Sequence, residues 1–81
     1  MTALEMLNAL VRSQHAVYHK PTQTIRLVVN NVTRPILLLL GEESAGGGYT
    51  IGSLERLHER EGTTVVFDID RERKHIGVRA L

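Results

Sequence analysis

The first stretch of the chain has the hydrophobic period of an amphipathic helix. Leucine and valine recur every three or four positions over residues 2–19, with polar side chains mostly on the opposite side. Thr2 and Glu5 have the spacing of a capping box, which satisfies free backbone amides at a helix start. Pro21 disfavours helical backbone at the residue before it. The pattern predicts an N-terminal helix over residues 2–19.

From residue 24 the period changes to two, which is typical of a strand with one buried face. Asn30 and Asn31 tolerate left-handed backbone and predict a turn. The run at residues 36–40 is apolar at every position, so we expect a central strand that is covered on both faces. The pattern predicts a β-hairpin over residues 24–40.

The second half begins with a glycine-rich segment at residues 41–48. It predicts a flexible loop, because glycine adds backbone freedom and no side chain to pack. Ser53 and Gly62 suit the two ends of a short surface helix over residues 54–61. Alternation returns on both sides of a polar turn at residues 70–73, which predicts a second hairpin over residues 63–81.

Together these elements predict one α+β domain over residues 1–81, with the order α-β-β-α-β-β. The two hairpins should form a mainly antiparallel sheet beside the N-terminal helix. The ββαββ part is compatible with a β-grasp-like arrangement, although the order of the strands cannot be read from the pattern.

Composition bears on how such a domain is stabilised. A chain of 81 residues buries only about 60–65% of the surface that its unfolded form exposes. Cysteine is absent, which excludes disulfides and thiolate metal sites and fits a cytoplasmic location. Self-association is the remaining device, so we expect a homodimer or a larger assembly. We expect no signal peptide and no membrane span, because polar residues interrupt the first segment and the longest apolar run is short.

The formal net charge of +1 gives no global field that attracts nucleic acid. Basic residues do cluster locally on the predicted last hairpin, where a β-ribbon can follow phosphates. Arg26 and Arg34 would join them if the first hairpin lies alongside. Acidic residues at positions 68, 70 and 72 share the segment, and exposed aromatic residues for base stacking are lacking. The nucleic-acid candidates are Arg71, Arg73, Lys74 and Arg79.

The glycine-rich loop leads into a predicted helix start, where free backbone amides and the helix dipole favour an anion. The loop lacks the lysine of a Walker loop and the strand–helix spacing of a dinucleotide fingerprint. A flexible connection that orders on binding a partner is the alternative. The anion-binding candidates are Gly47, Gly48, Gly52 and Ser53.

Residues 65–70, Val-Val-Phe-Asp-Ile-Asp, resemble the first motif of haloacid-dehalogenase-type phosphatases. The resemblance implies that Asp68 is a nucleophile and Asp70 a general acid. Arg71 stands where that family has glycine, and the family's further Asp-bearing and Lys-bearing motifs have no counterpart downstream. Polar residues at a hairpin turn are the interpretation we favour.

His15 and His19 are four residues apart on the predicted first helix, a spacing that can place two imidazoles on one metal. A third ligand is not evident nearby, so we expect no metal site. Every other candidate for catalysis is isolated in its segment, and we expect neither an enzyme nor a bound cofactor.

These observations predict a non-catalytic protein-interaction or assembly module that associates with itself or with another protein. The reason is the aliphatic surplus on the first helix and at residues 36–40, which one short chain does not readily bury. The alternative is a small nucleic-acid-binding regulator that uses the basic C-terminal hairpin. The interface candidates are Leu7, Leu10, Val11, Tyr18, Ile36, Leu38 and Leu40.

Overall fold

Two helices and five strands follow one another along the residues that the computed structural model describes, 2–42, 48–52 and 56–81. The helices are α1 (Ala3–Arg12) and α2 (Thr33–Glu42). Among the described residues, no helix is long and apolar enough to cross a membrane. The prediction of a small α+β structure is confirmed. The strands are β1 (Ala16–His19), β2 (Thr24–Val28), β3 (Thr50–Ile51), β4 (Thr64–Asp70) and β5 (His75–Ala80).

The strands form one mixed sheet in the order β1-β2-β4-β5-β3. Hairpins β1-β2 and β4-β5 meet through antiparallel β2 and β4, and the short β3 pairs parallel with β5. The predicted last hairpin is present, with its turn anchored by the Arg73 amide, which donates to Asp70 Oδ1 at 3.1 Å. The first hairpin involves other residues than those predicted, and the β-grasp-like arrangement stays a prediction.

Helix α1 begins where the sequence predicts and ends seven residues earlier than the predicted end at residue 19. The Glu5 amide donates to Thr2 Oγ1 at 3.1 Å, which confirms the helix start. At the other end, the amides of Gln14 and His15 donate back to the carbonyls of Val11 and Leu10. Gln14 adopts the left-handed conformation, with φ 67°, in this helix-terminating motif. Glycine usually takes that position, so the sequence carried no clear stop signal, and residues 16–19 form β1 instead.

Residues 36–40 form part of helix α2, so the prediction of a central strand there is wrong. Asn30 caps this helix: its Oδ1 accepts from the amides of Val32 and Thr33 at 2.8 and 2.9 Å. The Thr33 hydroxyl accepts in return from the Asn30 amide at 3.0 Å. Leucine also favours helix over strand. An all-apolar run has no period of its own, so its flanking cap decided its structure.

Between α2 and β4 the described residues contain less helix than predicted. A 3-10 turn at Leu57–Glu59 stands within the predicted helix at residues 54–61. Gly62 has φ 86°, a left-handed conformation that glycine adopts without strain. The predicted loop at residues 41–48 starts inside α2, and its residues 43–47 lie outside the described residues, as do residues 53–55.

Both helices pack on the same side of the sheet, which we call the covered face. Leu7 and Leu10 of α1 and Leu37 and Leu40 of α2 are buried there with alternate residues of the strands. Side chains at the remaining positions point to the opposite side, the open face, over which neither helix lies. The covered-face residues of the strands that join this core are Ala16, Ile25, Leu27, Val65, Phe67, Ile69 and Ile76.

Candidate functional site

A groove of about 370 Å³ lies between α1 and α2 on the outer side of the helical layer. Its walls are largely aliphatic, and Ser13 and His15 supply the polar groups at the point where α1 ends. Such a concave apolar surface suits an aliphatic side chain and not a charged ligand. The other lining residues are Met6, Ala9, Leu10, Ile36 and Leu39.

Large aliphatic side chains remain exposed on α2 beside this groove. Leu38 and Leu39 are each 49% exposed, and Val32, just before the helix, is 50% exposed. Val32, Ile36 and Leu39 follow helical spacing and share one side, with Ile36 half-buried. We call Val32, Ile36, Leu38 and Leu39 the α2 outer surface.

The seven predicted interface residues fall into different environments. Leu7, Leu10 and Leu40 are buried in the chain's own core, and of these three only Leu10 reaches the lining of the groove. Val11 and Ile36 are half-buried, whereas Leu38 and Tyr18 are exposed. The sequence pattern did not indicate Leu39 and Val32 as interface residues, because only the helical phase set by the Asn30 cap distinguishes them from their buried neighbours.

The open face contains one row of side chains that crosses four strands. Val17, Arg26, Val66 and Arg79 are successive partners in the register of β1, β2, β4 and β5. Val66 has 0% exposure although neither α1 nor α2 covers this face. Its partners in the register are two arginines, whose long aliphatic stems can cover apolar surface while the charge stays near water.

Arg26 is the unusual member of this row. Its Nε is buried and, within the described part of the chain, has no hydrogen-bond partner. The nearby carboxylates are engaged elsewhere: Asp68 Oδ2 accepts from Arg79 Nε at 3.2 Å, and Asp70 Oδ2 lies 3.8 Å from Arg73 Nε. The open face therefore carries two arginines with N–H donors to spare among the described residues. Arg26 has no acceptor for its Nε–H, and Arg79 uses only its Nε–H in the bond to Asp68.

The predicted nucleic-acid residues divide between a turn and this row. Arg71, Arg73 and Lys74 are exposed in the β4-β5 turn, and Arg79 lies on β5. Strand β2 lies alongside β4 and brings Arg26 into the row of Arg79, although it belongs to a different hairpin from the one predicted. Arg34 does not join them, because it lies on α2, where its Nε donates to the His58 carbonyl at 2.9 Å.

The predicted anion loop is only partly described, since Gly47 and Ser53 lie outside the described residues. The Gly52 amide donates to the Ile76 carbonyl at 2.8 Å, so it is not free for an anion. Gly48 has φ 83° and leads toward β3 instead of into a helix. The helix start on which the hypothesis depends, at Ser53, lies outside the described residues, so the anion site stays a prediction.

The remaining sequence candidates are the two aspartates of the phosphatase-like motif and the pair His15 and His19. Asp68 and Asp70 lie on an antiparallel hairpin, where they bind Arg79 and the turn amide of Arg73. His15 follows α1 and His19 ends β1, so the predicted helical pair of imidazoles is wrong. Within the described residues, no group of three or more histidine, aspartate or glutamate side chains is placed to hold a metal.

No protein-family model, no curated protein and no solved structure matches this chain. The functional argument therefore depends on two surfaces of the molecule itself. One is the α2 outer surface with its groove, which is apolar, and the other is the arginine row of the open face.

Proposed function

We propose that the protein is a non-catalytic interaction or assembly module that self-associates through the α2 outer surface. The observation that carries this proposal is the side of α2 that carries Val32 and Leu39, which are 50% and 49% exposed. Exposed aliphatic side chains that lie together are typical of protein–protein contacts. A cytoplasmic location fits the absence of cysteine.

The groove beside α2 explains how a second copy would bind. In a two-fold dimer the same patch is used on both chains, so a side chain of one copy must fit a recess of the other. Val32 is exposed on the side of Ile36 and Leu39 without lining the recess, whereas Leu39 and Ile36 line it. The same side therefore supplies both an exposed group and part of a receiving surface, which is what a self-complementary contact requires.

Sedimentation equilibrium over a range of concentrations tests this proposal. The unaltered chain should self-associate, and the double substitution Val32→Gln and Leu39→Gln should weaken association by at least about tenfold, since two aliphatic side chains leave the contact. Leu81→Gln is the matched control, because Leu81 is 70% exposed on the sheet side of the molecule. A strict monomer at the highest concentration, or equal weakening by Leu81→Gln, contradicts the proposal.

The second candidate is a small nucleic-acid-binding regulator that uses the β4-β5 hairpin. The observation in its favour is the position of Arg26 beside that hairpin, which adds a cation to Arg71, Arg73, Lys74 and Arg79. Asp68 and Asp70 reduce the net charge of the same surface. Binding of a single-stranded oligonucleotide should weaken steeply as salt rises, and the absence of binding at low salt eliminates this candidate.

A further inference from the structure

Arg26 has a buried donor for which the described residues supply no acceptor. Its charge is permanent, and its Nε–H is buried without an acceptor among the described residues. A buried donor that lacks a partner is destabilising, because the group has lost its hydrogen bonds to water. Such a group in a folded protein therefore points to an absent partner, either a water molecule or a ligand.

The surroundings of Arg26 indicate which partner fits. Val17 is opposite it on β1, and Val28 follows two residues along β2 on the same face. These valines are 67% and 46% exposed and offer no acceptor. Because the Nε itself is buried, a ligand on this face would approach the terminal nitrogens of Arg26, beside valines that do not compete as acceptors.

Arg79 stands on the other side of Val66 from Arg26. Two strand spacings separate them, so their backbones are about 10 Å apart, with Val66 between them on the same face. Asp68 engages only the Nε of Arg79 among the hydrogen bonds of the described residues, which leaves the terminal nitrogens of that guanidinium to donate elsewhere. A group placed over Val66 is within reach of both arginines.

We propose that the open face binds a phosphate group between Arg26 and Arg79, above Val66. A phosphate presents oxygens in several directions and accepts from two guanidinium groups at once, whereas a carboxylate is satisfied by one. Two cations against the single carboxylate of Asp68 also favour a dianion. The site lies on the opposite side of the sheet from the α2 outer surface. The proposal of a phosphate site therefore does not depend on self-association.

Titration with inorganic phosphate at constant ionic strength tests the site in the full chain. Nuclear magnetic resonance of the Arg26 Nε–H and of the Val66 and Gly77 amides should show saturable shifts. Arg26→Gln should weaken phosphate binding at least about tenfold, because a charge-assisted hydrogen bond is lost. Arg79→Gln should weaken it by a smaller factor, and Arg12→Gln, at an exposed arginine of α1 on the other side of the sheet, should leave it unchanged.

Arg26→Lys keeps the proposal testable if the Arg26→Gln variant fails to fold. Lysine keeps the charge and an aliphatic stem over Val66 but lacks the Nε–H, so the fold should persist while phosphate binding weakens. Acetate should bind more weakly than phosphate. The proposal is overturned if phosphate causes no saturable shift, if binding survives Arg26→Gln, or if acetate binds as well as phosphate.

A single-stranded oligonucleotide distinguishes the two sources of a phosphate group. If the oligonucleotide binds more tightly than inorganic phosphate and Arg26→Gln abolishes that binding, the site recognises a nucleic-acid backbone. If inorganic phosphate binds and the oligonucleotide does not, the ligand is a small phosphorylated molecule. Either result supports the site and assigns its class of ligand.

Discussion

The two faces of the sheet bury their residues by different means. On the covered face, Val65 and Phe67 are enclosed by aliphatic side chains of α1 and α2. On the open face, Val66 is equally buried, but its neighbours in the register are two arginines. Val65 and Val66 are neighbours on one strand and both have 0% exposure. Val65 thus has a rigid apolar surrounding, whereas Val66 has flexible charged side chains beside it.

This contrast separates stability from function in the molecule. Helices α1 and α2 cover the covered face, so its side chains pack in the core and are not accessible to a partner. On the open face the Nε–H of Arg26 has no acceptor among the described residues, and on the outer side of the helical layer two leucines are exposed. Surfaces that retain unsatisfied groups or exposed aliphatic side chains are the ones available for binding.

The largest expected effect tests the assignment of α2 to the covered face. Leu37→Ala should lower the free energy of unfolding by about 2–5 kcal/mol, because Leu37 has 0% exposure and its loss leaves a cavity. Leu38→Ala should change it by no more than about 0.5 kcal/mol in dilute solution, because Leu38 is 49% exposed. Urea unfolding measures both. Equal losses would contradict the helical phase of α2.

A smaller effect compares the two faces directly. Val65→Ala should cost about 2 kcal/mol, since the apolar groups around it are held by both helices and cannot fill the space. Val66→Ala should cost about 1 kcal/mol, because arginine stems can shift to cover the smaller side chain. Urea unfolding of both variants at low protein concentration measures the difference. A larger loss for Val66→Ala would show that the open face is as rigid as the covered face.

The smallest expected effect concerns the ion pair of the open face. The side chains of Arg79 and Asp68 are 52% and 48% exposed, so water and salt screen their attraction. Asp68→Asn should therefore change the free energy of unfolding by no more than about 0.5 kcal/mol. Thermal or urea unfolding at two salt concentrations checks this. A loss of unfolding free energy above about 1–2 kcal/mol, the range of a partly buried pair, would contradict the conclusion that water and salt screen this pair.

How far the sequence predicted the fold differs from element to element. The start of α1 and the β4-β5 hairpin were predictable, because a capping pair and two alternating runs around a polar turn are local signals. The end of α1 was not, because Gln14 took a conformation that usually belongs to glycine. Residues 36–40 were assigned to a strand because a uniform apolar run fits either structure, and the decisive signal was the Asn30 cap.

The candidate sites were predictable only in part. Leu38 and Ile36 were named as interface residues and lie on the α2 outer surface, although Leu7, Leu10 and Leu40 belong to the core. Arg79 was named among the basic residues, whereas the place of Arg26 depended on which strands pair. No feature of the sequence indicates that one arginine has a buried nitrogen without a partner, since that depends on its neighbours across the sheet.

The amino-acid sequence by itself determined the local features of this protein: an α+β composition of elements, a capped N-terminal helix, a C-terminal hairpin and an aliphatic surplus in a small chain without cysteine. Only the tertiary structure decided which leucines of residues 36–40 are covered and that Arg26 and Arg79 flank Val66. The physical reason is range. Caps, turns and alternation act between residues a few positions apart, whereas burial and strand register join residues that are distant along the chain.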